Sequence, residues 1–342
     1  MIPTLLGITV LTFCVMQLVP GDPADIHMAA EGGEATPDMG NIQQGLAQFR
    51  REYLLDQPIW RQYLHYLGPF DLSASGHRWF GGTGENSYGG LLLGDLGREF
   101  GRPHVQIRDE LLRRMKVTVP LAFTSLFLSY ALALPLGIVS VMRRGGPFDT
   151  GAGVLVFLLY SVPAFWAALM LQLIFGAHWL DLLPIVGLAD KNAADFGQME
   201  RGWDVLKHLI LPIVVLTYGG FAYLSRHMRS GLLDVIRENY IRTARAKGLS
   251  ERTVILKHAL RNSLGPLLTL FATILPALIG GSVIVEFIFD LPGVGSYAFD
   301  AVSNRDYFIV MGVTTFSAVV TLVCILVTDL AYAWLDPRIR YD

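Results

Sequence analysis

Long apolar runs separated by polar connections dominate the pattern of the chain. A helix needs roughly 20 residues to cross a hydrocarbon core of about 30 Å, and runs of this kind recur along the sequence. The predicted spans are 2–19, 117–142, 151–177, 209–224, 264–285 and 309–334. The pattern therefore predicts an all-α membrane protein with about six transmembrane helices, of which the fourth is the shortest.

The polar stretches divide the chain into parts of unequal length. Spacing typical of helices occurs at 49–67 and 105–115, whereas 71–90 is rich in Gly and Ser and is typical of a loop. The shape of 68–93 is not predicted. The predicted parts are a transmembrane helix at 1–19, a long loop or subdomain at 20–116, a core of closely spaced spans at 117–334 and a tail at 335–342.

The connection at 226–263 is polar but periodic. Glu238 precedes Arg242 by four residues, a spacing at which opposite charges support an exposed helix. Apolar residues recur there at steps of three and four, which predicts one helix face. They are Leu233, Ile236, Tyr240 and Ala244.

Gly248 interrupts this periodicity and predicts a tight turn. Ser250 and Glu251 suit the start of a second short helix. That helix bears Val254, Ile255, His258 and Ala259. Two interpretations of the segment remain open: Gly248 is only a helix-capping residue and the arginines enforce topology, or the segment is a docking element.

Composition agrees with the apolar runs. Of the 342 residues, 52% are hydrophobic and the mean hydropathy is +0.44, which excludes an ordinary soluble globular protein. Cys14 and Cys324 both fall inside apolar runs, so neither a disulfide framework nor a cysteine-based metal site is expected.

The distribution of Lys and Arg predicts the orientation. Nine of the 27 lie between Arg226 and Arg261, with further pairs in the second connection and in the tail. The ten in 50–116 carry little weight, because long loops cross a membrane largely regardless of charge. We therefore expect the 226–263 connection and both termini to face the cytosol.

The first span has an alternative, a cleaved signal peptide. Its start lacks positive charge, and Pro20-Gly21-Asp22-Pro23 follows it rather than a small-residue cleavage site. A retained helix is favoured.

The sequence lacks the motifs of several kinds of catalytic or nucleotide-binding site. No Gly-Lys pair exists for a phosphate-binding loop, and neither a His-Glu-x-x-His zinc motif nor a Gly-x-Ser-x-Gly elbow occurs. The eight histidines are scattered. Within the predicted spans only Asp329 is charged, and its place near a span end indicates an interfacial cap rather than a proton relay. A non-catalytic chain without a bound metal is predicted.

The 226–263 connection resembles the conserved cytoplasmic loop of ABC-importer permeases. The match falls on Arg242, Thr243, Ala244 and Gly248, although Arg242 stands for Glu and Thr243 for Ala. The segment YIRTARAKGL followed by HALRN is similar to the sequence found here in the dipeptide and oligopeptide branch of that family. Further similar stretches are Pro20-Gly21-Asp22-Pro23, LLDQPIWRQYLHYL, Gly94 to Gly97, Arg305-Asp306-Tyr307 and Asp336-Pro337-Arg338.

The resemblance implies a type I ABC-importer permease fold, with a long extracytoplasmic loop after the first helix and a cytoplasmic coupling helix. It implies a bacterial inner-membrane location and these partners: a second homologous permease forming a heterodimer, two ABC ATPase subunits that hold ATP and Mg, an extracytoplasmic substrate-binding protein and membrane lipid. No nucleic acid is expected. The residues implied for ATPase coupling are Arg242, Thr243, Ala244, Arg245, Ala246, Lys247, Gly248 and Leu249.

The function implied is ATP-driven import of dipeptides or oligopeptides, with no cofactor bound by this chain. Nickel chelates, glutathione and oligosaccharides are alternative substrates of similar permeases. A self-contained secondary transporter or channel, and a membrane enzyme or anchor, are rival classes. The substrate-binding residues are not identifiable from the sequence.

Overall fold

The computed structural model describes residues 2–18, 39–52, 54–68, 89–102, 104–176 and 179–335. Helices account for most of these residues, as predicted. The Pro20–Pro23 run, most of the 68–93 loop and the Asp336-Pro337-Arg338 stretch of the tail lie outside the described residues.

The helices follow one another with short connections. In chain order they are α1 Ile2–Leu18, α2 Met39–Glu52, α3 Ile59–Leu67, α4 Ile107–Met142, α5 Pro147–Ser161, α6 Ala164–Phe175, α7 Gln198–Val235, α8 Asn239–Ala246, α9 Glu251–Thr253, α10 Leu260–Ser263, α11 Gly265–Ile279, α12 Val283–Ile288, α13 Val294–Ser303 and α14 Tyr307–Leu335. Leu91–Leu93 and Ala193–Asp195 form 3₁₀ turns, and Val254–Ala259 is a π-helical turn.

The predicted membrane spans are confirmed in most places. In the part of the chain that the structure describes, four apolar helical stretches are long enough to cross a membrane: Ile107–Met142, Gln198–Val235, Gly265–Ile288 and Tyr307–Leu330. Counting α5 and α6 together as one span makes five, and α1 is a shorter apolar helix of 17 residues.

The third predicted span, at 151–177, is divided between two helices. Helices α5 and α6 meet at an angle of 96°. The chain leaves helical geometry at Val162 and Pro163, both of which have extended backbone. Proline has no N–H to donate to the preceding turn and disfavours helical geometry in the residue before it, so an apolar run broken here bends sharply.

Two helices are much longer than the spans predicted inside them. α4 has 36 residues and α7 has 38, which correspond to about 54 Å and 57 Å at 1.5 Å per residue. The helical spacing predicted at 105–115 is therefore continuous with the second span. The apolar window detects only the part of each helix inside the hydrocarbon, because the polar flanks continue the same helix.

The chain forms two compact units. One comprises Met1–Met115 and Tyr297–Val319, and the other comprises Lys116–Ser296 and Val320–Asp342. In the first unit Phe13, Tyr66 and Met311 form an apolar core. Also in this unit, Asp306 accepts a 2.6 Å hydrogen bond from the Phe100 N–H, and Tyr297 donates one of 2.7 Å to Glu99.

In the second unit α4 is joined to its neighbours by side-chain hydrogen bonds to main-chain carbonyls. Ser129 Oγ donates to the Thr217 carbonyl on α7 at 3.0 Å, and Tyr130 Oη donates to the Leu267 carbonyl on α11 at 2.7 Å. Each hydroxyl satisfies its donor inside an apolar environment, where an unpaired hydroxyl would be costly. The three helices therefore pack as a connected group.

Candidate functional site

The predicted docking segment begins with a turn that the periodicity did not reveal. α7 ends at Val235 and α8 begins at Asn239, with Glu238 as its extended N-cap residue. Residues 236–238 are closed by short-range hydrogen bonds, such as Glu238 N–H to the Val235 carbonyl at 3.0 Å. The prediction of one uninterrupted helix face from Leu233 to Ala244 is therefore wrong, since the helix axis changes between them.

The buried face of α8 consists of Ile241 and Ala244. Ile241 is fully buried and Ala244 is 7% exposed. Tyr240, which the sequence placed on this face, is 40% exposed, and its hydroxyl accepts a 2.6 Å hydrogen bond from Asn262 Nδ2. A step of three, from 241 to 244, fits an eight-residue helix with one side in the core.

The opposite face of α8 and the turn after it are exposed. This face carries three cations and small or apolar residues, and it contains no acidic side chain. Its members are Arg242, Thr243, Arg245, Ala246, Lys247, Gly248 and Leu249. Of the eight residues predicted for coupling, only Ala244 is turned inward.

One ion pair closes the turn. Arg245 Nε and Nη2 donate to the two carboxylate oxygens of Glu251 at 2.7 and 3.3 Å. Among the described residues of the loop, this is the ion pair that forms. The prediction that Glu238 pairs with Arg242 is therefore wrong, because the pairing occurs across the turn. An exposed pair of this kind contributes roughly 0.2–1 kcal/mol.

Gly248 occupies a conformation that favours glycine. Its φ is +80°, and no atom lies within 4 Å of the position that a Cβ would take. Its N–H donates to the Arg245 carbonyl at 2.9 Å, which caps α8. The requirement is therefore set by backbone conformation and not by space, and the predicted tight turn is confirmed.

The predicted second helix is confirmed, with an unexpected geometry. Ser250 Oγ accepts the Thr253 N–H at 3.4 Å and caps α9. The chain then widens into the π-helical turn Val254–Ala259 before α10. Val254, Ile255 and Ala259 are buried.

The buried residues of this loop belong to the same apolar cluster as the transmembrane helices. Ile241, Ala244 and Val254 pack in one cluster with Met228 and Leu232 of α7. The cluster also includes Ala133 and Val141 of α4, Leu224, Ile255, Ala259 and Leu267. One continuous apolar contact therefore joins α8 to α4 and α7.

An ion pair that the sequence did not indicate lies near the same end of α7. Arg229 donates two hydrogen bonds to Asp149 at the start of α5, at 2.7 and 2.8 Å, and Asp149 is 7% exposed. Asp149 also accepts the Gly145 N–H at 3.1 Å. The pair forms part of the wall of a cavity of about 750 Å³ between α4, α5 and α7, which Arg226 and Tyr160 also line.

A second buried carboxylate, Glu286, was also missed. The predicted fifth span ended at Val285 and assigned Glu286 to an outer loop, whereas the structure buries Glu286 completely at the end of α12. The backbone of Gly293 packs closely against this carboxylate, because a Cβ on Gly293 would lie 2.3 Å from Glu286 Oε2. The sequence signal that could have indicated this buried site is the pair of glycines, Gly293 and Gly295, that follow Glu286 at seven and nine residues.

The chain is similar in sequence to known transport proteins. Residues 133–341 match the family described as binding-protein-dependent transport system inner membrane component. The chain is 35% identical to the oligopeptide transport system permease protein AppB of Bacillus subtilis (strain 168), covering 99% of this chain and 96% of AppB. It is 35% identical to the dipeptide transport system permease protein DppB of Escherichia coli (strain K12), with the same two coverages.

A solved structure supports the fold. A chain of the MetNI methionine ABC transporter, crystallised in inward-facing conformations, superposes with a TM-score of 0.53 at 18% sequence identity. The superposition covers 66% of this chain and 96% of that chain. The two curated relatives confirm the resemblance seen in the sequence over almost the whole length of the chain.

Proposed function

Because this chain belongs to the family of binding-protein-dependent transport system inner membrane components, we propose that it is the permease subunit of an ABC importer for peptides. The names of the two curated relatives support peptides as the substrate class. In this proposal the chain is non-catalytic and binds no cofactor. ATP and Mg are held by two ATPase subunits, and a second homologous permease completes the pathway.

The remaining assignments follow from this role. An extracytoplasmic binding protein delivers the substrate, and both termini and the α8 loop face the cytosol of a bacterial cell. The concentration of cations between Arg226 and Arg261 supports this orientation.

The observation that carries the proposal is the two-sided character of α8. Ile241 and Ala244 fix one side in the transmembrane cluster, while Arg242, Ala246 and Lys247 remain exposed on the other. We propose that the exposed side enters a groove on the ATPase, where the cations pair with acidic groups and the small side chains permit close approach. Closure of the ATPases on ATP then moves α8, and with it α4 and α7.

Gly248→Asp tests this role in the assembled transporter. The substitution adds a negative charge beside the proposed contact and a strained backbone at φ +80°. We expect peptide uptake to be abolished, ATP hydrolysis to lose its stimulation by the binding protein, and membrane insertion to remain normal.

Gly187→Asp is the matched control. Gly187 has φ +82° and only the Ala189 carbonyl oxygen, at 3.7 Å, near the position of an added Cβ, so it incurs similar strain away from α8. The control should retain coupled uptake. Wild-type uptake by Gly248→Asp at normal expression, or equal loss in the two variants, would contradict the docking role of α8.

A further inference from the structure

Helix α3 contacts two apolar helices well inside their apolar stretches. The hydroxyl of Tyr63 lies 3.1 Å from Thr9 Oγ1, and its ring packs against Phe13 with centroids 5.3 Å apart. Tyr66, which is 2% exposed, shares a 2.9 Å hydrogen bond with Thr315 Oγ1. The partners Thr9 and Phe13 belong to α1, and Thr315 belongs to α14. α3 therefore lies beside these two helices and not above them.

The positions of these partners give the depth of α3. Thr9 is nine residues before the end of α1 at Leu18, and Thr315 is eight residues after the start of α14 at Tyr307. At 1.5 Å per residue these separations are about 14 and 12 Å. Half of a hydrocarbon core is about 15 Å. The tyrosine hydroxyls of α3 therefore reach the level of the acyl chains, while Gln62, which is bonded to Gln17 one residue before the end of α1, lies at the level of the interface.

Two large apolar side chains at the start of α3 are exposed, while a polar side chain of the same helix is half-buried. Ile59 and Trp60 are 57% and 63% exposed. The polar Gln62 is instead half-buried, and it accepts a 2.9 Å hydrogen bond from Gln17 and donates one of 2.8 Å to the Gln57 carbonyl. Exposed Ile and Trp side chains beside two apolar helices suit a lipid environment.

A second exposed apolar group adjoins α3. Leu92 and Leu93, in the 3₁₀ turn Leu91–Leu93, are 65% and 64% exposed. Gly68 and Gly90 hold this turn against the end of α3, because a Cβ on Gly68 would lie 2.5 Å from the Gly90 Cα. The N–H groups of Leu93 and Gly94 are both bonded within the turn, at 3.0 and 2.9 Å. Two main-chain donors of the turn are therefore satisfied within it.

We propose that α3 and the Leu91–Leu93 turn form a re-entrant element that lies in the outer leaflet, with phospholipid acyl chains as its partner. Ile59 and Trp60 then lie towards the interface, where tryptophan is enriched, and Leu92 and Leu93 project into hydrocarbon. Part of the segment between the first two spans is thus a membrane anchor for the outer side of the transporter. This inference depends on α1 and α14 being membrane spans and is independent of the role of α8.

Spin labels report the environment of this element directly. Trp60→Cys and Leu93→Cys are introduced separately in a chain with Cys14→Ser and Cys324→Ala, and the complete transporter is placed in vesicles of phosphatidylethanolamine and phosphatidylglycerol. Collision rates of the label with dissolved oxygen and with a water-soluble nickel chelate are then measured. Gly101→Cys is the matched control, because Gly101 is exposed and no atom lies within 4 Å of its added Cβ.

We expect the ratio of oxygen to nickel collisions at Trp60 and Leu93 to exceed that at Gly101 by at least about tenfold, because a polar chelate is excluded from hydrocarbon. Nickel collisions equal to those at Gly101 would place the element in water and overturn the proposal. Shielding from both reagents would show a covering protein subunit and would also overturn it. Both side chains are exposed, so the substitutions leave the core of Phe13, Tyr66 and Met311 intact.

Discussion

Thr118 Oγ1 donates a 3.1 Å hydrogen bond to Glu286 Oε1, and the two side chains are 1% and 0% exposed. Glu286 Oε2 accepts the N–H groups of Gly295 and Ser296 at 2.6 and 3.0 Å, and Thr118 Oγ1 accepts the N–H of Val294 at 2.9 Å. The carboxylate therefore caps the first turn of α13, where main-chain donors and the helix dipole favour negative charge. It holds together α4, α12 and the start of α13.

Removal of this carboxylate should destabilise the protein. Glu286→Ala leaves the Gly295 and Ser296 N–H groups and the Thr118 hydroxyl without their acceptor in a buried site. Each unsatisfied donor costs about 1–3 kcal/mol, so we expect a loss of more than about 3 kcal/mol, measured by thermal unfolding in detergent. Glu286→Gln should lose less because its carbonyl oxygen still accepts.

Asp290→Asn is the control for Glu286. Asp290 is exposed and has φ +50°, a conformation that Asn also tolerates. Its unfolding temperature should stay close to that of the wild type. If Glu286→Ala unfolds at the same temperature as Asp290→Asn, the buried N–H and hydroxyl donors must find other acceptors, which would contradict the prediction.

Two positions on α8, two residues apart, should separate its buried side from its exposed side. Ile241→Ala removes a fully buried side chain from the cluster with Met228 and should cost about 2–4 kcal/mol of stability. Thr243→Ala removes an exposed hydroxyl bonded to the Asn239 carbonyl at 3.0 Å and should change stability by less than about 0.5 kcal/mol.

Thermal unfolding and limited proteolysis of the loop distinguish the two α8 variants. Ile241→Ala should melt earlier and expose the loop to protease, while Thr243→Ala should do neither. Equal protease resistance in both variants would mean that α8 does not depend on the cluster for its position.

Asp306 should make stability depend on pH. Burial raises the pKa of Asp306 from 3.8 to about 6, against the opposing effect of the Phe100 and Ile309 N–H groups that it accepts. The folded protein therefore retains this proton more strongly than the unfolded chain. The resulting stability is fully present below about pH 4 and is lost as the pH rises through 6.

Asp306→Asn removes this titration. From pH 4 to pH 7 the stability of the wild type relative to the variant should fall by on the order of 2–3 kcal/mol, measured by thermal unfolding at each pH. Asp300→Asn, at an exposed position on α13, should show the same pH dependence as the wild type. A constant difference between the wild type and Asp306→Asn across this range would exclude the titration of Asp306.

Much of the candidate site followed from local signals. Gly248 is a turn residue and Ser250 is a helix-capping residue, and both act on the backbone next to them. The turn and the second helix therefore form where they were predicted. The exposure of Tyr240 could not be predicted in this way, because the three-residue turn before α8 rotates the buried face of α8 relative to that of α7. Periodicity counts residues along one axis and does not register a change of axis.

Contacts between distant segments were outside the reach of the pattern. Arg229 meets Asp149 across 80 residues, and Glu286 meets Thr118 across 168 residues. Each residue is unremarkable in its own neighbourhood, and both pairs exist only because α4, α5, α7 and α12 pack side by side. The depth of α3 is of the same kind, since Tyr66 is placed by Thr315.

The sequence by itself determined that the chain is a helical membrane protein of this family and where the loop turns, because hydrophobicity, glycine and capping residues act over a few positions. Tertiary structure alone decided which side of α8 is buried, which carboxylates lie inside, and how far α3 descends beside α1. The physical reason is that burial and ion pairing arise from packing between segments remote in the chain, whereas helix formation and turns arise within one segment.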